Sequence, residues 1–173
     1  HMRNEDDDLL VVGEWMPISV FKNENGKLVK STDTAGLAES NGWWNTIEGE
    51  DLDNDGDIDF VVGNHGLNSR FKASREEPVT MYTNDFDRNG TAEQIVTVYN
   101  EGSSYPLVLK HDLVMQMPSL KKKYLKYASY QEQTIEEIFS PEQLKKAVQS
   151  SIYEMATSVL INQGDGKFTV MPL

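Results

Sequence analysis

The sequence predicts a mainly β chain carrying one helical excursion. Three observations lead there. Two acidic, glycine-containing loops lie between segments rich in β-branched and aromatic residues, which favour strands. The strand Asp59-Phe60-Val61-Val62-Gly63 has a near copy in Asp8-Leu9-Leu10-Val11-Val12-Gly13. From about residue 111 to 150 the pattern leaves the strand period and takes up helical spacing and caps.

The first loop is Asp51-Leu52-Asp53-Asn54-Asp55-Gly56-Asp57-Ile58-Asp59. Acids at positions 1, 3, 5 and 9, with glycine at 6, can turn alternate carboxylates toward one centre. Ca²⁺, a hard cation, takes about 6–8 oxygen ligands, and a glycine permits the tight turn around it. The pattern returns 34 residues later as Asp85-Phe86-Asp87-Arg88-Asn89-Gly90-Thr91-Ala92-Glu93. The candidate metal ligands are therefore Asp51, Asp53, Asp55, Asp57 and Asp59 in one loop, and Asp85, Asp87, Asn89, Thr91 and Glu93 in the other. At position 7 the backbone carbonyl is the expected donor, which lets the side chains of Asp57 and Thr91 turn outward.

An EF-hand opens the same way but needs a helix on each side and a bidentate Glu at position 12. Position 12 is Val62 in one loop and Val96 in the other, and neither can ligate. The exits Ile58–Gly63 and Glu93–Tyr99 read as strands, as do the leads Trp44–Glu50 and Val79–Asn84. Each loop is thus a metal-filled hairpin closed at position 9 by Asp59 or Glu93. A calcium sensor or buffer is disfavoured for the same reasons.

Strand, D-x-D-x-D-G-x-x-D loop and strand together resemble the FG-GAP/VCBS repeat family, the calcium-loop blades of integrin-α-type β-propellers. Asp59–Gly63 matches the family strand D-[LF]-V-V-G, and Asp8–Gly13 repeats it behind a loop that is degenerate or cut off, with Glu5 in the glycine position. Val159-Leu160-Ile161-Asn162-Gln163-Gly164-Asp165-Gly166-Lys167-Phe168 resembles the outer strand pair of a blade. Phe21–Leu28 is a weaker copy. The whole run is similar to bacterial cartilage-acidic-protein-like surface proteins. The resemblance implies a partial β-propeller of about three antiparallel blades at roughly 50 residues each. It further implies two structural Ca²⁺ ions, and a secreted, cell-surface or periplasmic setting. Its partners would be the remaining blades of a parent protein and a protein or glycan ligand. Whether Val79–Asn84 is the third strand of one blade or the first of the next stays open at this level.

Composition narrows the alternatives. The chain has 173 residues, enough for one domain, with 16 Lys and Arg against 28 Asp and Glu, a net charge of −12. That balance opposes nucleic-acid binding, which normally uses a basic face. There is no cysteine, hence no disulfide or thiolate metal site. No run approaches the roughly 20 apolar residues of a membrane span. His1-Met2 reads as a cloning scar, and residues 3–173 read as a single propeller fragment with its helical insertion at about 111–150. A signal peptide is not visible, and the natural amino terminus is expected to lie upstream.

Within the insertion, Leu120, Tyr124 and Tyr127 share a helical face over residues 117–127. Thr134 and Glu137 form a capping-box pattern, and Ser140-Pro141 opens a further helix. Residues 119–130 carry four Lys and no acid. They read as solvated helix faces, with a polarised contact surface as the alternative. Trp43-Trp44 read as core residues, with sugar stacking as the alternative. His65 and His111 read as structural. No catalytic residues are assigned. The leading function is a calcium-stabilised binding or interaction module. The competing function is a piece of a carbohydrate-active or other hydrolytic propeller, with its active site in the insertion or in missing blades.

Overall fold

The computed structural model describes residues 7–173. The scar at residues 1–2 and Glu5 lie outside the described residues. Antiparallel strands dominate, as expected, with short helices confined to one stretch. In chain order the strands are β1 (Leu9–Val11), β2 (Glu14–Met16), β3 (Ser19–Glu24), β4 (Lys27–Lys30), β5 (Gly42–Trp43), β6 (Thr46–Glu50) and β7 (Asp59–Gly63). There follow β8 (Val79–Asn84), β9 (Glu93–Asn100), β10 (Ser103–Pro106), β11 (Val148–Ile152), β12 (Ser158–Asn162) and β13 (Phe168–Pro172). The α-helices are α1 (Lys110–Gln116), α2 (Ile135–Ile138) and α3 (Pro141–Lys146). Four sheets form, and no ring of strands closes among the described residues.

The chain divides into two compact units, one of residues 1–71 with 152–173 and one of residues 72–151. The first holds the sheets β1-β3-β4, β13-β12-β7-β6 and β2-β5. Its four-stranded sheet is discontinuous in sequence: β6 and β7 pair around the first acidic loop, and β12 returns from the carboxy-terminal segment to pair with β7. Val62, buried on β7, and Leu160, buried on β12, join Ile18, Val20, Ala35, Leu37 and Trp44 in one core. On β12 the buried Ser158 and Leu160 alternate with the half-buried Val159 and Ile161, the period expected of a sheet with one buried face. Trp44 is 1% exposed and its indole N–H donates to Ser40 O at 2.9 Å. Burial of so large a ring with its one polar atom bonded makes Trp44 the anchor of this unit.

The repeat seen in the sequence is also a repeat of register. Leu9 faces Phe21 on β1 and β3, as Phe60 faces Leu160 on β7 and β12. Asp8 accepts the backbone N–H of Asn23 at 2.8 Å, and Asp59 accepts that of Asn162 at 2.8 Å. Ser19 and Ser158 each bond the carbonyl two residues upstream. The weaker copy at Phe21–Leu28 is thus a true hairpin, turning at Asn25-Gly26 with φ of 56° and 83°. Such left-handed pairs match the twist of two-residue hairpins.

In the second unit β8, β9 and β10 form an antiparallel meander, with β11 beside β8. Val79–Asn84 therefore belongs with the second loop and pairs with Glu93–Thr97, not with β7. The helices pack Leu113, Met117, Tyr124, Tyr130, Ile135, Ile138 and Phe139 around Phe86 and Ile95. Both caps form where the sequence places them. Glu137 accepts the Thr134 N–H at 2.8 Å. Ser140 Oγ accepts from Gln143 N at 3.3 Å, while Gln143 Oε1 accepts from Ser140 N at 2.9 Å.

The continuous helix expected over 117–127 is not formed. Pro118–Lys122 is a 3-10 turn and Tyr127–Ser129 is another. Tertiary bonds override the helical spacing. Tyr124 turns inward to meet Tyr130 edge-on at 5.4 Å, and the Lys123 ammonium bonds the carbonyls of Glu137 and Ile138 at 2.6 and 3.3 Å. Those carbonyls end α2, where a cation is electrostatically favoured. Helix α1, just upstream, falls at the start of the expected helical insertion but has no motif of its own in the sequence. It carries no side-chain cap, the usual sequence mark of a helix start.

Candidate metal centres

Each acidic loop is shaped by its own side chains. In the first, Asp51 Oδ2 accepts Gly56 N at 3.1 Å, Asp53 Oδ1 accepts Asp55 N at 3.2 Å, and Asp55 Oδ1 accepts Asp57 N at 2.8 Å. In the second, Asp85 Oδ2 accepts Gly90 N at 2.9 Å, Asp87 Oδ1 accepts Asn89 N at 3.2 Å, and Asn89 Oδ1 accepts Thr91 N at 2.8 Å. The last position closes both. Asp59 Oδ2 accepts Leu52 N at 2.9 Å and Glu93 Oε2 accepts Phe86 N at 2.9 Å.

The backbones turn at the same places. Asn54 and Arg88 have φ of 63° and 62°, and Gly56 and Gly90 have φ of 91° and 90°. Glycine at position 6 is required by that left-handed conformation, which a side chain adopts only under strain. Two stretches that share only part of their sequence therefore reach one loop geometry.

The result is two groups of converging carboxylates. Ligand atoms of Asp51, Asp53 and Asp59 lie within 4.8 Å of one another, as do those of Asp85, Asp87 and Glu93. Oxygens up to that far apart fit a shell of radius about 2.4 Å, the Ca²⁺–O distance range. Either group can hold a metal ion. Asp55 and Asp57 do not join the first group. Asp57 instead lines a groove with Asp165, Gly164 and Phe168, and Thr91 is exposed. Asn89 spends its side-chain carbonyl on Thr91 N.

The electrostatics favour a cation. Asp59 and Glu93 are 0% and 6% exposed, and neither has an ion pair among the described residues. Asp51 Oδ1 is buried with no hydrogen-bond donor among the described residues, an expensive state for a carboxylate oxygen unless a cation faces it. The carboxyl of Asp53 is pushed above its ordinary value by lost solvation, then by the charges of Asp55, Asp59 and Asp51, against the pull of the Asp55 N–H. Like charges so close together repel until something neutralises them.

The second loop is braced by the helical segment. Gln143 Nε2 donates to Phe86 O at 2.9 Å, Asn84 Nδ2 donates to Gln143 O at 3.1 Å, and the Phe86 ring lies 4.2 Å from Phe139. At the same position of the first loop, Leu52 is 43% exposed. A phenylalanine inside an acidic loop is the sequence signal for this bracing.

Other candidates fall as follows. Trp44 is core, as expected, but Trp43 is half-buried and lies among Trp15, His65 and Phe71. Trp15 and Phe71 carry no spacing signal that marks them as partners of Trp43. His111 is exposed on α1.

Acidic loops between strands, repeated with the same geometry, define a mainly β repeat protein with two carboxylate groups that can hold a metal ion. Residues 2–62, which include β1 to β6, the first loop and most of β7, match the FG-GAP-like repeat family. Over that stretch the chain is similar to an FG-GAP-like repeat. No curated protein matches the chain, and no solved structure matches it.

Proposed function

We propose that this chain is a calcium-stabilised binding module, part of a β-propeller of about three antiparallel blades within a larger secreted, cell-surface or periplasmic protein. The observation that carries the reading is the buried Asp51 Oδ1, without a donor among the described residues, inside a cage that the chain builds twice. Oxygen-only donors and anionic charge select a hard cation over a soft one. Asp51, Asp53 and Asp59 would hold one ion, and Asp85, Asp87 and Glu93 the other. Asp55 and Asn89 would complete each shell with the oxygen capacity their backbone bonds leave free. The position-7 carbonyls of Asp57 and Thr91 are the remaining donors.

When bound, the ion supplies neutralising charge and ties two strands together. The protein groups do the rest. Asp59 and Glu93 fix the loop main chain, and the left-handed residues aim the carboxylates inward. No helix among the described residues is long and apolar enough to cross a membrane. The FG-GAP-like repeat supports an interaction role and an extracytoplasmic setting, where millimolar calcium saturates sites of modest affinity.

Thermal unfolding with and without calcium tests this. A ligand that binds only the folded state adds about 2.7 kcal/mol at a hundredfold excess over Kd. The melting temperature should rise with calcium, fall in EDTA and respond less to magnesium. A melting temperature indifferent to calcium and EDTA overturns the reading.

A further inference from the structure

We propose that the first unit carries a saccharide-binding platform on Trp15, Trp43 and His65, separate from both acidic loops. The proposal rests on the binding-module reading and names a ligand class for it.

The rings are assembled at a cost. Trp15 has φ of 62°, a left-handed conformation that is an outlier for a bulky side chain. The pairing of β2 with β5 shifts register between Glu14 and Met16. Glu14 pairs with Trp43, so in a regular strand Trp15 would point to the opposite face from that pair. The bulge re-aims it, and its ring lies 5.4 Å from that of Trp43. Backbone strain of this kind persists only where the surroundings impose it, and it concentrates at ligand sites.

A second element fixes the other side. Asn64 is 8% exposed, and its Oδ1 accepts the N–H of Trp43 at 3.1 Å and of His65 at 2.8 Å. Its Nδ2 donates to Glu154 O at 2.9 Å. One buried amide thus sets two ring-bearing residues against each other, and the His65 ring stacks on Trp43 at 4.9 Å with planes 23° apart. Phe71 closes the group edge-on to His65 at 5.4 Å, with the Arg70 guanidinium 5.2 Å from its ring centre.

The group is not core. Trp15, Trp43 and Phe71 are half-buried, and His65, Arg70 and Glu14 are exposed. Flat apolar rings beside a planar cationic fork and an imidazole, with the exposed Glu14 opposite Trp43 in the strand pairing, match a pyranose. Its C–H face packs on rings while its hydroxyls bond Arg and Glu. A quaternary ammonium fits less well. The cation position beside Phe71 is already held by Arg70, and the Trp43–His65 pair is stacked rather than opened into a cage.

The test uses the whole chain in calcium on an array of oligosaccharides and polysaccharides, followed by tryptophan-fluorescence titration with any saccharide retained. Tetramethylammonium is the competing probe. Saturable saccharide binding with a fluorescence change is expected, about tenfold weaker in W15G, H65A and R70A. Glycine relieves the strain at position 15, so W15G should melt no lower than the parent while losing the ligand. A packing role would give the reverse. If W15G does not fold, the exposed positions His65 and Arg70 decide. An empty array overturns the proposal, as does a response to tetramethylammonium alone, or parent-like binding by H65A and R70A. Melting the same samples with calcium and EDTA separates the two readings. A calcium shift with an empty array removes only the platform. Saccharide binding without a calcium shift removes only the cation reading.

Discussion

Asp59 bonds the main chain of Asn162 through Oδ1 at 2.8 Å while its Oδ2 accepts the N–H of Leu52 at 2.9 Å. The residue that closes the first loop therefore also fastens β12, from the far end of the chain, onto β7. Asp8 makes the equivalent bond to Asn23 at 2.8 Å but is exposed, whereas Asp59 is 0% exposed.

Asp59→Ala should consequently cost more than a ligand does. Two charge-assisted bonds are lost and two backbone N–H groups lose their acceptor, about 3 kcal/mol, against about 1 kcal/mol for Asp8→Ala. Urea unfolding in EDTA measures both without any ion. Equal losses would show that Asp59 is only a ligand and does not join the two strands.

The second loop should report on the helical segment through Gln143. Its amide donates to Phe86 O and its Oε1 accepts Ser140 N, so Gln143→Ala releases both the loop and the start of α3. With the first loop silenced by Asp53→Asn, calcium calorimetry should show binding about fivefold weaker in Gln143→Ala, roughly 1 kcal/mol. Phe139→Ala, which removes the ring 4.2 Å from Phe86, should destabilise this unit by about 3–5 kcal/mol. Unchanged affinity in Gln143→Ala would mean that the loop holds its shape alone.

Local rules were readable from the sequence wherever one residue type is required. Gly56 and Gly90 announce left-handed turns, Thr134 and Ser140 announce caps, and alternating Asp residues announce the loops. What escaped depends on contacts distant in sequence. The spacing of Leu120, Tyr124 and Tyr127 suits a helix, but Lys123 and Tyr124 are claimed by α2 and Tyr130. The separate sheet of Val79–Asn84 and the return of β12 onto β7 are pairings that no local pattern specifies. Trp43 and Trp44 are adjacent and chemically identical, yet only Trp44 is core, its indole bonded to Ser40 O, while Trp43 sits at the end of β5 with its N–H bonded to Asn64.

Gly42 is a sharper probe of that packing. A Cβ there would lie 2.4–2.8 Å from three atoms of the Trp44 ring, closer than any real contact. The indole is bonded to Ser40 and cannot simply rotate away. Gly42→Ala should cost about 1–3 kcal/mol by overpacking and lower the melting temperature with or without calcium. Gly26→Ala, with open space around it, should cost only its backbone strain, about 1–2 kcal/mol, with Trp44 fluorescence unchanged. A Gly42→Ala protein with parent-like stability and tryptophan emission would remove Trp44 as the anchor of this unit.

Tyr130 gives the second unit a predictable response to alkali. Its hydroxyl donates to Val108 O at 2.7 Å, and burial, followed by the neighbouring Tyr124, pushes its pKa up to about 12. The unfolded chain ionises near about 10. A pKa raised by folding means that the neutral phenol is the form the fold prefers. Its contribution is complete below pH about 10 and drains away as pH rises through about 12. Tyr130→Phe has no proton to lose. At pH 8 the variant should be weaker by about 1 kcal/mol, the net value of the lost hydrogen bond. Between about pH 10 and 12 the difference should close and then reverse, because only the parent loses stability through this group. Tyr82 is raised as well, by burial and then by Glu136 and Tyr99, so both proteins slope in this range and only their difference isolates Tyr130. Urea unfolding of the pair across that window makes the measurement. A difference that stays constant with pH would show that the Tyr130 hydroxyl titrates alike in the folded and unfolded chains.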